Sequence, residues 1–264
     1  MVDPADAIGK ARQAVTERAE LPGMSLMEHL EELRRRIVHS AAYLAVGFLV
    51  AYIFHVRLYG FVQEPLDRLH IKLNYTHPMD PLNLYLQVSL IGGAIIASPF
   101  ILYQVWLFIA PGLYQKEKRF VIPFMAATVG LFLLGASFGY FFVLPGALKI
   151  LIVDFGKSFN PMVTIEEYTG FFLSIILGLG ISFEMPILIF FLSLFGIVSP
   201  RFLWKNIRYA ILAVFLVAAI ITPSPDPWTM CIYAVPMLCL YLIGIAVSWY
   251  FHPSRRKAKE AAAS

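Results

Sequence analysis

Six apolar stretches dominate this chain, at residues 38–54, 84–109, 121–143, 168–198, 209–222 and 228–250, each set off from the next by a polar cluster. A helix that crosses about 30 Å of hydrocarbon needs about 20 mostly apolar residues, and five of the six stretches come near or exceed that length. With 59% of its 264 residues hydrophobic and only 14% charged, the chain is too apolar for a soluble domain. An outer-membrane barrel needs segments of about 10 residues that alternate apolar and polar. The run FFLSIILGLGISF, residues 171–183, does not alternate. The expectation is an all-α integral membrane protein with six transmembrane helices.

Six spans put both termini on one side of the membrane, and lysine and arginine mark that side as cytoplasmic. The segments expected there carry 16 of the 21 basic residues; the opposite loops carry Arg57, Arg68, Lys72, Lys149 and Lys157. Residues 1–23 contain no apolar core and end in Pro22-Gly23, so they read as a flexible cytoplasmic tail rather than a signal sequence. The membrane domain then covers residues 24–250, and a basic cytoplasmic tail covers 251–264. Cys231 and Cys239 fall eight positions apart on one helix, about 12 Å at 1.5 Å per residue, beyond disulfide reach.

The two long loops on the outer, periplasmic side, residues 55–83 and 144–167, are punctuated by Pro65, Pro78, Pro81, Pro145 and Pro161. Their apolar content predicts a packed cap with short helices rather than free linkers. The fifth stretch is the exception in length: its 14 or so residues make a helix of about 21 Å, short of a full bilayer. Two readings stay open. The helix extends through Asn206 and Arg208 with the arginine snorkelling, or the bilayer thins around it.

Charge is concentrated at a few points. Ser25 and Glu28 have capping-box spacing, and Leu26, Leu30, Leu33 and Ile37 then form an apolar stripe, so a helix starts before the first span. On its polar side Glu31 precedes Arg35, and Glu32 precedes Arg36, by four residues, the favourable order for helical ion pairs. Taken alone, these are self-paired surface charges of a few tenths of a kcal/mol each. Glu117 is the one carboxylate among Lys116, Lys118 and Arg119 in a short loop. Glu184 falls mid-span, where an acidic residue costs up to about 2.5–3.5 kcal/mol and so calls for a partner or a role. Asp226, in the turn TPSPDPW, suits the cap of the last helix. No HExxH and no Walker loop is present. No enzyme activity, cofactor, metal or nucleic acid is expected.

Together, HLEELRRRI before the first span, SPFILYQVWLFIAPGLYQKEKR closing the second, GISFEMPI in the fourth and TPSPDP before the sixth resemble the TatC family, the multispanning subunit of the twin-arginine protein translocase. The likeness runs in order over residues 24–250. It implies a receptor for the twin-arginine signal peptides of folded proteins, working in a bacterial-type cytoplasmic membrane with TatA, TatB and further TatC copies and driven by the proton-motive force. Position by position, it implies that Glu32 and Glu117 meet the signal's arginine pair, with Arg34, Arg36 and Phe108 in the same region. It marks Pro65 and Asp226 as functional positions on the outer side and Glu184 as the buried acid of the fourth span. The last turn is one residue longer than the commoner TPPD form, and Met230 stands where a glutamine can occur. Two guanidinium groups can each fork onto a carboxylate, whereas lysine offers a point charge, so such a site prefers arginine. On so basic a face the attraction is local, within a Debye length of about 8 Å. The competing expectation is a small-molecule transporter that couples to protons through Glu184.

Overall fold

The structure, a computed structural model, describes residues 26–109, 121–194, 196–222 and 227–251. Ser25, Glu117 and Asp226 lie outside them. Among the described residues there are ten α-helices: α1 (Leu26–Ile53), α2 (His55–Asp67), α3 (Asp80–Ile109), α4 (Val121–Phe138), α5 (Leu144–Leu148), α6 (Ile165–Ser182), α7 (Met185–Leu194), α8 (Pro200–Lys205), α9 (Ile207–Ile221) and α10 (Pro227–Phe251). Among the described residues the only β-pairing is an isolated bridge, Asn74 with Thr164.

Among the described residues, five helical segments are long and apolar enough to cross a membrane: Met27–Ile53, Asp80–Phe108, Pro123–Asp154, Ile165–Leu194 and Pro227–Tyr250. The fifth apolar stretch forms the shorter Ile207–Ile221. Of the two readings of that stretch, the structure includes Arg208 in the helix but ends it at Asn206, which caps both α8 and α9. At 15 residues α9 is about 22 Å long.

The largest departure from the sequence expectation is in residues 144–154, read there as loop. The third span instead runs on through two π-helical turns, Gly139–Val143 and Lys149–Asp154, with α5 between them. Pro145 sits in the first turn of α5, where a missing N–H is tolerated, and the wider π turns let the chain absorb it without stopping. The fourth span behaves in the opposite way. α6 stops at Ser182 and restarts at Met185, because Pro186 cannot donate to the carbonyl of Ser182 and crowds the turn before it.

α1 packs along α3 and α4 along α6, while α10 rests on α7 and α9. Two crossings are close enough to require glycine. A Cβ at Gly93 would lie 2.5 Å from the backbone nitrogen of Phe48, and one at Gly47 2.5 Å from the Gly93 carbonyl oxygen. The backbones of α1 and α3 therefore touch, which holds α1 in place although most of its surface is exposed. At the α4–α6 crossing, a Cβ at Gly135 would meet the Leu179 carbonyl oxygen at 2.7 Å.

The expected cap is present and is built around Pro65, which lies inside α2. A proline there leaves the carbonyl four residues earlier, that of Phe61, without its helical donor. Tyr140 supplies one: its hydroxyl donates to the Phe61 carbonyl at 2.9 Å, and its ring stacks on Phe61 at 3.9 Å. The next carbonyl, Val62, receives the hydroxyl of Tyr168 at 2.6 Å. The same hydroxyl of Tyr140 lies 3.0 Å from Glu64 Oε2, so its single proton is shared between two acceptors. Leu66 is fully buried beside this clasp. Backbone bonds from Asn74 to Val163 and from Ile165 to Asn74, 2.9 and 2.8 Å, then tie the two cap segments together.

Candidate functional site

At the opposite end of the α1–α3 pair the polar groups are arranged differently. Glu32 and Arg36, one turn apart on α1, form an ion pair of 2.9 Å, with side chains only 11% and 17% exposed. Arg36 Nη1 also donates to Oε1 of Gln104, a buried residue of α3, at 3.3 Å. Phe108, one turn further along α3, stacks on the ring of His29 with centroids 4.6 Å apart. Trp106 anchors this end of α3 to the bundle: it is buried, donates to Thr128 Oγ1 at 3.2 Å and lies edge-on to Phe191 at 4.6 Å.

The pair is not a fork. One guanidinium N–H meets one carboxylate oxygen, and Glu32 Oε2 and Arg36 Nε are both buried without a hydrogen-bond partner among the described residues. A bidentate arrangement would have joined those two atoms. An unpaired buried polar atom costs roughly 1–3 kcal/mol, so the site has unused capacity for a guanidinium, amide or water.

Of the sequence-predicted residues, the structure brings Glu32, Arg36 and Phe108 to one place. Arg34 is exposed. The two expected ion pairs differ: Glu32–Arg36 forms and is sheltered by α3, whereas Glu31 and Arg35 make no ion pair among the described residues. Pro65 belongs to the cap clasp. Glu184 sits at the α6–α7 break, and its Oε1 is another buried polar atom without a hydrogen-bond partner among the described residues.

Gln104 and His29 are additions. The signal for Gln104 was its position as the one amide in the apolar run between Pro99 and Ile109, since a lipid-facing helix keeps few such groups without a partner. The string Gly135-Ala136-Ser137-Phe138-Gly139 has the spelling of a nucleophile elbow, but it lies within continuous helix and not at a strand-to-helix turn. It is a packing glycine with a serine two residues on.

These features define a class: a polytopic helical membrane protein with a proline-centred cap at one end of its bundle and a half-satisfied acidic site at the other. The model of the family "Sec-independent protein translocase protein (TatC)" matches residues 28–236. The TatC protein of Koribacter versatilis is 52% identical over 98% of this chain and 97% of its own length. TatCy of Bacillus subtilis is 35% identical over 94% and 96%. The crystal structure of the twin arginine translocase receptor TatC superposes with a TM-score of 0.76 at 38% identity, covering 83% of this chain and 97% of that one. This chain belongs to the TatC family and is a membrane-spanning component of the twin-arginine protein translocase.

Proposed function

We propose that this chain is the receptor core of the translocase, binding the twin-arginine signal peptides of folded precursors at the α1–α3 site and recruiting TatA- and TatB-type partners for export driven by the proton-motive force. The observation that carries the reading is the half-used carboxylate of Glu32. Arg36 already offers Glu32 one guanidinium contact, but only one. A signal arginine that forked onto both oxygens would outcompete it and free Arg36 to keep its bond to Gln104. Lysine, a point charge without the planar fork, gains far less from the exchange. Glu117 serves as the second carboxylate, Arg34 and Arg36 tune the acidic position, and the Phe108–His29 stack forms the apolar floor beside it.

In this reading both termini face the cytoplasm, the protein resides in a bacterial-type cytoplasmic membrane, and further TatC copies share the complex. Glu184, with its unpaired oxygen at a helix break, contacts a partner's transmembrane span. Pro65 and Asp226 act on the opposite side. Family membership moves Glu184 away from the small-molecule transporter expectation, because the family is one of protein translocases.

The test is photo-crosslinking of a twin-arginine signal peptide to the full chain in membranes. Labelling should fall at least tenfold for a twin-lysine peptide and for Glu32→Ala or Glu117→Ala. Equal labelling in all of these would overturn the proposal.

A further inference from the structure

A cavity of about 270 Å³ lies between α2, α3, α4 and α6, on the cap side of the bundle. Its lining is almost wholly apolar and includes Leu58, Phe61, Ile91, Ile95, Ala136 and Phe141. Apolar cavities of about 150 Å³ stay dry and hold a benzene-sized group, so this one accommodates a longer hydrocarbon. Its shape supports that: the lining runs from Val88 to Ile96 on α3 and from Leu133 to Phe141 through α4 and its π turn. Each run spans eight residue steps, about 12 Å along the helix axis. The cavity is also open towards lipid, since Phe141, Phe61 and Ile96 at its rim are 59%, 48% and 46% exposed.

Hydrocarbon alone gives no preference, because a lipid tail is as apolar as the cavity wall. Selectivity has to come from a headgroup, and α2 presents a cation for one. Arg57 is exposed one helical turn from Phe61, with its guanidinium 5.9 Å above the Phe54 ring. It makes no ion pair among the described residues, in contrast to Arg68, whose Nη2 is bound to Glu64 Oε1 at 2.7 Å. We infer that this cavity binds one acyl chain of an anionic phospholipid, with the lipid phosphate held by Arg57. The chain descends from the level of α2 between α3 and α4, and the planar guanidinium takes the phosphate oxygens in pairs.

The experiment places the full chain in phosphatidylcholine vesicles containing a trace of lipid with a photoreactive acyl chain, bearing either a phosphatidylglycerol or a phosphatidylcholine headgroup. The phosphatidylglycerol probe should label the segments around Leu58–Val62 and Val88–Ile96 at least fivefold more than its zwitterionic counterpart. Arg57→Gln should abolish that preference. Ala136→Phe, which fills the cavity, should remove labelling by both probes; Ile96→Trp at the rim stands in for it if the first variant does not fold. The proposal fails if both probes label equally, if the preference survives Arg57→Gln, or if labelling survives the filled cavity. It also fails if a twin-arginine signal peptide displaces both probes alike, which would assign the cavity to the peptide's apolar segment.

Discussion

The two ends of the α1–α3 pair use polar groups in opposite ways. At the cap, the carbonyls of Phe61 and Val62 lie at a proline-interrupted turn, and each receives a tyrosine hydroxyl from a distant helix. Glu64 is likewise held on both oxygens, by Arg68 and Tyr140. At the Glu32 end, a carboxylate oxygen and a guanidinium nitrogen are buried and left open. The polar groups of the clasp are closed off, whereas the site assigned to a ligand keeps unspent hydrogen-bonding capacity among the described residues.

The sharpest way to separate the two regions is Gly93→Leu. The new side chain meets the backbone of α1, which cannot yield as a side chain would, and the cost should be about 3 kcal/mol or more. Hydrogen exchange should rise along α1 and signal-peptide crosslinking should be lost, while α2 keeps its protection because its clasp comes from Tyr140 and Tyr168. Loss of protection in α2 as well would show that the two ends are one cooperative unit.

Tyr168→Phe attacks the cap instead. It removes one of the donors to the Val62 carbonyl, which keeps its place in the helix ladder, so thermal or denaturant unfolding should register a loss of about 0.5–1.5 kcal/mol, with peptide binding unchanged. Glu32→Gln should do the reverse. The amide can still accept from Arg36, so stability should move by less than about 1 kcal/mol. Peptide affinity should nevertheless fall about tenfold, or roughly 1.4 kcal/mol, read by titration with a labelled signal peptide.

The smallest effect is a pH dependence at the cap. The Arg68 guanidinium, and then the Tyr140 hydroxyl, hold the Glu64 carboxyl below its ordinary value of 4.5. A depressed folded-state pKa stabilises above the unfolded value, and that stability is lost as pH falls through the folded one. Hydrogen exchange in α2 should therefore quicken below about pH 4.5 and lose this step in Glu64→Gln.

What the sequence revealed follows the range over which each signal acts. Hydropathy located the five long apolar segments and the shorter α9, because the constraint is carried by each segment alone. The Glu32–Arg36 pair was legible because its partners are four residues apart. The clasp was not: Tyr140 and Tyr168 reach α2 from 79 and 106 positions away, and only Pro65, the reason they are needed, stands out locally. The same proline logic misled at Pro145, read as a loop signal, because nothing local distinguishes a proline that ends a helix from one taken up beside a π turn. Gln104 was visible as an odd residue, but its partner on α1 depends on the Gly47–Gly93 crossing.

That crossing also sets the mechanics of the first two helices. Glu32 lies 15 residues from Gly47, about 22 Å along α1, whereas the end of α1 at Ile53 is six residues beyond it, about 9 Å. A rigid rod pivoting at the glycine contact has a long arm carrying the acidic site and a short arm leading into α2. For such a rod, a displacement at the site would arrive at the start of α2 reduced by more than half.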